Sequence, residues 1–195
     1  MKKSVRNRLW LILASLVMIT VAACGKSSTT AEEKQKSADS VVLTVTNGSR
    51  TKTFTMSQLK ELPMCLGSAG QIDNNNKITG PDEYRGVALG DILNTIGGIS
   101  PVNRVKISAL DNNSQIFSYD QIANGIIDIY DAIYGRTTTA PVMVPKLFIA
   151  FEINGIPLDS VTGPLEFGVM TCQFRVTRES LWVKKVVKIE VIAAQ

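Results

Sequence analysis

The chain of 195 residues contains no histidine. Histidine is the commonest general base near neutral pH and the commonest metal ligand. Its absence excludes Ser-His-Asp and Cys-His catalysis and every metal site that needs an imidazole. The sequence also lacks an apolar run of the roughly 20 residues that a permanent transmembrane helix needs. Three function classes stay open after these two absences: a binding module, a cofactor-dependent oxidoreductase and a structural or interaction protein.

An excess of positive charge is also missing from most of the chain. The sequence has 21 Lys and Arg residues against 17 Asp and Glu residues. Residues 1–23 contain no acidic residue and four basic ones, Lys2, Lys3, Arg6 and Arg8. Without them the chain keeps 17 basic against 17 acidic side chains. Because nucleic-acid binding relies on basic surfaces, no nucleic-acid partner is predicted.

The N-terminus has the three parts of a signal peptide. A basic stretch is followed by the apolar residues 9–20, and the run closes with Val21-Ala22-Ala23-Cys24. This ending resembles the lipobox of bacterial lipoproteins. The resemblance implies that residues 1–23 are removed and that Cys24 carries a diacylglyceryl anchor. We therefore expect an extracytoplasmic protein that is attached to the bacterial cell membrane through its N-terminal lipid, since two acyl chains hold stably.

Two regions follow the signal peptide. Residues 24–40 comprise the lipidated cysteine and a polar stretch without large apolar side chains, which is typical of a solvated tether. Residues 41–195 are long enough for one domain with a hydrophobic core. They contain no internal repeat and no second linker.

Strand patterns dominate residues 41–195. Asn47-Gly48 between two β-rich runs predicts a hairpin, and Thr55 or Ser57 can cap a short helix that ends before Pro63. Residues 87–96 have helical spacing, and Asp120 can cap a third helix. The Gly- and Asn-rich stretch from Cys65 to Tyr84 predicts a long loop. Further strands are predicted at 104–110, 115–119, 146–153, 165–170 and 181–192. The predicted fold class is α+β, mostly β, with a mixed sheet and short helices.

An ordered set of segments resembles the molybdopterin-binding domain of sulfite-oxidase-type oxidoreductases. The segments are TMSQLKELP at 55–63, EYRGVALGDILNTIGG at 83–98, RVKISALDNN at 104–113, FIAFEINGIPLDSVTGPLEFGV at 148–169 and LWVKKVVKIEV at 181–191. The resemblance covers roughly residues 41–193 and implies the fold of that family. It also implies that Cys65 could give a thiolate to molybdenum and that Arg85 could help to hold the pterin.

Three segments depart from the family pattern. The family's GxPlR segment reads GPLE here, so that Glu166 stands where the family has arginine. The stretch after Cys65 reads LGSAGQIDNNN without the family's aromatic residues, and the DGY turn reads Asp111-Asn112-Asn113. The cofactor prediction is therefore either none or molybdopterin.

The signal peptide bears on the same question. Molybdenum cofactors are inserted in the cytoplasm, and loaded enzymes of this family usually leave folded by the twin-arginine route. Here Arg6 and Arg8 are separated by Asn7, which is typical of the general route for unfolded chains. We therefore expect a module that binds a small anionic ligand or docks a partner redox or transport protein. A molybdopterin-dependent oxidoreductase and a purely structural lipoprotein are the two alternatives.

Two cysteines remain beyond Cys24, and their state stays open. Outside the cytoplasm Cys65 and Cys172 can form a disulfide. Cys65 can instead be a free thiol, or a metal ligand only if molybdenum is bound. From the family architecture we expect a basic pocket between the segment Cys65–Tyr84 and the segment Gly155–Val169. Arg85 and Arg175 would give this pocket its positive charge.

Overall fold

The computed structural model describes residues 40–138, 144–159, 163–172 and 174–193. The predicted signal peptide, Cys24 and the tether up to residue 39 lie outside these ranges, so the predictions about them stay predictions. No helix in the described part of the chain is long and apolar enough to cross a membrane.

The described residues form mostly strands. In chain order the strands are β1 (Val41–Asn47), β2 (Arg50–Thr55), β3 (Met64–Ile72), β4 (Ile78–Ala88), β5 (Asn103–Ala109), β6 (Ser114–Ser118), β7 (Ile129–Asp131), β8 (Thr137–Thr138), β9 (Lys146–Ile153), β10 (Ile156–Pro157), β11 (Glu166–Thr171), β12 (Arg175–Arg178) and β13 (Val186–Ala193). The helices are α1 (Met56–Lys60), α2 (Leu89–Asn94) and α3 (Tyr119–Asn124), and a 3₁₀ helix spans Glu179–Leu181.

The strands form two sheets. The first has the order β2-β1-β13-β5-β6, in which β1 and β13 are parallel and the other neighbours antiparallel. The second has the order β10-β9-β11-β3-β12-β7-β8, and β4 pairs with both β3 and β9. The pairings of β3, β4, β9 and β11 therefore close into a ring. This architecture confirms the predicted fold class, mostly β with a mixed sheet and short helices.

The second sheet is buried on both faces. One face, the core face, packs with the first sheet in the main hydrophobic core through residues such as Ile149 and Phe167. The other, the aromatic face, carries a smaller cluster comprising Ala69, Tyr84, Phe148, Ala150, Met170 and Trp182. Successive side chains of β11 point to opposite faces, and both faces are covered, so all six residues of the strand are buried.

Glycine makes room for large side chains on the aromatic face. A Cβ atom on Gly168 would lie 2.4 Å from the Trp182 ring, and one on Gly67 would lie 2.6 Å from the Met170 sulfur. Trp182 can therefore lie directly against β11. Its ring centroid is 5.5 Å from that of Tyr84 and 6.4 Å from that of Phe148.

Several local predictions are confirmed. The Asn47-Gly48 hairpin joins β1 to β2, and Thr55 caps α1 in a capping box with Gln58. The strand predicted at 146–153 is β9. In each case the signal is local turn, capping or strand chemistry, which does not depend on distant parts of the chain.

The predicted loop from Cys65 to Tyr84 is wrong, because this stretch forms most of the hairpin of β3 and β4. The interior of β3 is small and Gly-rich, which weakens the sequence signal for a strand. Long-range pairing with β11 and β12 supplies what local propensity lacks.

Three further boundaries differ from the predictions. Helix α2 begins at Leu89, since Val87 still belongs to β4. Helix α3 is capped by Ser118 instead of Asp120. The strand predicted from residue 181 begins only at Val186, because the 3₁₀ helix ends at Leu181.

Candidate functional site

A cavity of about 380 Å³ lies beside the aromatic face. We call it the polar cleft. Three chain segments contribute to it, and its lining consists of Gln71, Asn74, Asp111, Asn113, Gln115, Glu179, Ser180, Trp182 and Lys184. Most of these side chains can donate or accept hydrogen bonds, and Trp182 is the one large aromatic among them.

One wall is the turn between β5 and β6. The Asp111 carboxylate accepts a hydrogen bond from the Asn113 backbone N–H at 3.1 Å, and Asn112 takes a left-handed backbone conformation that asparagine tolerates. The Leu110 N–H donates to the Lys185 carbonyl at 2.9 Å. This hydrogen bond holds the turn next to the segment that carries Lys184.

The opposite wall is fixed by side chains of β12. Arg178 donates from Nη1 to the Asp73 carbonyl at 3.2 Å, which ties the β3–β4 turn to β12. The buried Trp182 indole donates from Nε1 to the Thr177 hydroxyl at 3.0 Å. Both walls are therefore held in place by hydrogen bonds, as expected for a preformed binding site.

Glu166 adjoins the cleft from within the sheet. Its side chain is 1% exposed, and its Oε1 atom lies 3.5 Å from Nε2 of Gln71, which lines the cleft. Burial raises the pKa of the Glu166 carboxyl to about 7, against a smaller lowering effect of Lys184. A carboxyl group that ionises near neutral pH thus lies behind the cleft wall.

Cys65 lies at the start of β3 on the aromatic face. It packs against the aromatic cluster, and its Sγ atom donates to the Gly86 carbonyl at 3.5 Å. Burial raises the pKa of the Cys65 thiol, with Lys146 opposing this. Since thiolates and not thiols are good metal ligands, this position favours a protonated, inert cysteine.

Arg85 and Cys65 do not come together. In the β3–β4 register Arg85 is opposite Leu66 and Cys65 is opposite Gly86. Adjacent residues point to opposite faces of a sheet, so the two predicted cofactor-binding side chains lie on opposite faces. Arg85 Nη1 is instead 3.7 Å from Glu152 Oε1, in an ion pair across β4 and β9.

The predicted disulfide is not present in the structure, where Cys65 and Cys172 are both free thiols. Thr171 is opposite Ser68, so continuing this register sets Cys172 diagonally from Cys65. Diagonal neighbours are roughly 7–8 Å apart between Cα atoms, beyond the usual span of a disulfide. The strand ends would have to draw together, and pairing in the oxidised protein stays a prediction.

The structure has a cavity near the predicted basic pocket, but its walls and its charge differ from the prediction. A cavity of about 620 Å³ lies beside the β3–β4 hairpin, but its second wall is Thr171, Cys172 and Phe174, not the described part of 155–169. Its charged lining residues are Asp82 and Glu83. Arg175 lies elsewhere, paired in register with Asp131. The described residues therefore do not place Arg85 and Arg175 around one cavity.

The chain was compared with known proteins. No protein-family model matches the sequence, and no curated protein matches it. Among solved structures the chain is similar to the sulfane dehydrogenase SoxCD from Paracoccus pantotrophus, with 18% sequence identity and a TM-score of 0.51. The similarity covers 76% of this chain but only 37% of the SoxCD chain. At this identity the likeness shows a shared fold.

The sequence interpretation did not assign the cleft residues Gln71, Lys184 and Glu179 to a site. Gln71 lies more than one hundred residues before Glu179 and Lys184 in the chain, and no spacing rule connects it to them. A signal was nevertheless present. The three segments that depart from the sulfite-oxidase-type pattern contain Gln71 with Asn74, Asp111 with Asn113, and Glu166, and the fold brings these segments to one place.

Proposed function

We propose that this protein is a lipid-anchored, extracytoplasmic binding module. It uses a sulfite-oxidase-type fold to hold a small polar ligand in the polar cleft and does not carry out molybdenum chemistry. The sequence resemblance and the structural similarity to SoxCD support a distant relation to that fold. Neither assigns an activity to this chain.

The convergence of the three departing segments carries this proposal. If the changes were neutral drift on an inert surface, there would be no reason for them to meet. Two of them line a cavity whose walls are hydrogen-bonded in place, and Glu166 of the third contacts the lining residue Gln71. A cavity whose lining departs from the family pattern is what a change of ligand requires.

The fit to molybdopterin is poor on two counts. Burial raises the pKa of the Cys65 thiol, which disfavours the thiolate that a metal needs, and Arg85 lies on the opposite face. Where the resemblance implies an arginine for the anionic pterin, the structure has the buried carboxyl of Glu166.

Cofactor analysis of the protein from its native host tests the proposal. Molybdenum is measured by mass spectrometry, and pterin by fluorescence after oxidation, on the full chain and on Cys65→Ser. We expect substoichiometric molybdenum and pterin in both. Stoichiometric molybdenum that is lost in Cys65→Ser would establish the oxidoreductase instead.

The anchor is tested separately through Cys24. The apolar run before Cys24 ends in small residues, so we expect Cys24→Ala to abolish lipid labelling and signal cleavage. Ser28→Ala in the polar stretch is the matched control and should behave as wild type. Unchanged lipid labelling of Cys24→Ala in fractionated cells would refute the anchor.

A further inference from the structure

We propose that the polar cleft binds a small ligand that carries a protonated amine, with Asp111, Glu179 and Glu166 balancing its charge. This inference rests on the proposed function and specifies the class of ligand. The proposed ligand is positively charged, whereas the sequence analysis predicted a small anion.

Among the described residues Lys184 acts on the Glu166 carboxylate only from beyond ion-pair distance. This carboxylate has a single long contact with the Gln71 amide, and it forms no ion pair with a described residue. Buried carboxylates in proteins are usually paired, since desolvation disfavours the ionised form. A cation in the adjoining cleft would supply the missing partner.

The lining of the cleft carries a net negative charge, like Glu166. Asp111 and Glu179 line the cleft, and Lys184 is the one basic residue among its lining residues in the described ranges. Lys184 offsets one carboxylate only. An anionic ligand would therefore meet a net negative site, whereas an ammonium group would be attracted by it.

The rest of the lining suits a hydrogen-bonding ligand. Side-chain amides of Gln71, Asn74, Asn113 and Gln115 offer both donors and acceptors. The volume of about 380 Å³ lies near the lower end of the range for small-molecule pockets. These features fit a compact polar amine better than a large or apolar molecule.

Trp182 provides a direct reporter of occupancy. The sequence has two tryptophans, Trp10 in the signal peptide and Trp182 in the cleft. In the full chain with Trp10→Phe, indole fluorescence therefore comes from the cleft alone. Three four-carbon probes that differ in charge are titrated at low, constant ionic strength: butane-1,4-diamine, butane-1,4-diol and succinate. Calorimetry with the same probes detects binding that leaves the Trp182 fluorescence unchanged.

We expect saturable binding of the diamine, weaker binding of the diol and none of succinate. Asp111→Asn should weaken diamine binding about tenfold, while the matched control Asp120→Asn, on α3 and not among the cleft lining residues, should leave it unchanged. Succinate binding as tight as the diamine, no saturable diamine response in either assay, or equal effects of the two variants would overturn the proposal.

Failure of this inference is distinguishable from failure of the proposed function. Stoichiometric pterin in the native protein would overturn the binding-module proposal itself. A protein without pterin that ignores the diamine would overturn only the assignment of an amine ligand.

Discussion

The two faces of β11 differ in chemistry although alternate residues of one short strand build them. Phe167 and Val169 point into the main core, where they belong to the large cluster of buried hydrophobic side chains. On the aromatic face Glu166 presents a carboxyl group and Met170 a flexible thioether. Gly168 lies between them and leaves room for the Trp182 ring. The core face contributes hydrophobic packing only, whereas the aromatic face also holds a buried polar group beside a cleft.

This contrast separates stability from function on one strand. Hydrophobic burial on the core face stabilises the domain in proportion to the apolar area removed from water. Glu166 works in the opposite direction, because a buried ionised carboxylate destabilises the native state. A destabilising group within a packed sheet is typical of a functional site.

The largest expected effect is on the core face. Phe167 is fully buried, and its ring centroid lies 4.6 Å from that of Phe117. We expect Phe167→Ala to lower the free energy of unfolding by about 3–5 kcal/mol, because it leaves a cavity. Urea denaturation measures this. The control is Ile116→Ala, at a side chain that is half exposed, and a similar loss for both variants would contradict the packing role assigned to the core face.

The second effect concerns Glu166 and depends on pH. Its native pKa is about 7 against an ordinary 4.5, so between these values the native state holds a proton that the unfolded state has lost. The stability of the wild type should therefore fall as the pH rises from about 4.5 to 7. Glu166→Gln, which cannot ionise, should remove this decline.

At pH 8 the difference should be on the order of 3 kcal/mol in favour of Glu166→Gln, and at pH 4 it should be small. Urea denaturation at both pH values measures it. Glu152→Gln is the control, since Glu152 is partly exposed and paired with Arg85. A Glu166→Gln variant that is no more stable than wild type at pH 8 would mean that the carboxylate is not buried unpaired.

The smallest effect is expected for Arg85. Its side chain is 45% exposed and forms an ion pair at 3.7 Å, and exposed ion pairs contribute less than about 1 kcal/mol. Arg85→Ala should therefore change stability by less than that, with an even smaller effect at high salt. It should also leave binding of butane-1,4-diamine unchanged. Loss of ligand binding in Arg85→Ala would move the site to the opposite face of the sheet.

The parts of the fold that follow from local chemistry could be predicted from the sequence. The Asn47-Gly48 hairpin, the capping box of α1 and the strand β9 depend on residues within a few positions of each other. Strand β3 could not be predicted in this way. Gly67 is suited to it only because Met170 of β11 occupies the space that a Cβ atom would need, and that neighbour lies more than one hundred residues away.

The candidate site was visible in the sequence only as a set of departures. Glu166 in place of arginine and the Asn-rich turns could be recorded one at a time, but their proximity depends on the pairing of β11 with β9 and β3. Cys65 and Arg85 lie close in the hairpin register, yet the alternation of side chains along paired strands separates them. Face and register are decided by the tertiary fold, so neither could be derived from spacing alone.

The central claim is that Glu166 is a buried carboxyl without an ion-pair partner among the described residues. Carbon NMR of the full chain with ¹³C-labelled glutamate carboxyl groups tests it most directly, with Glu166→Gln to assign the signal. The account predicts that the Glu166 carboxyl titrates with a midpoint near 7. A midpoint at or below the ordinary glutamate value of 4.5 would contradict it.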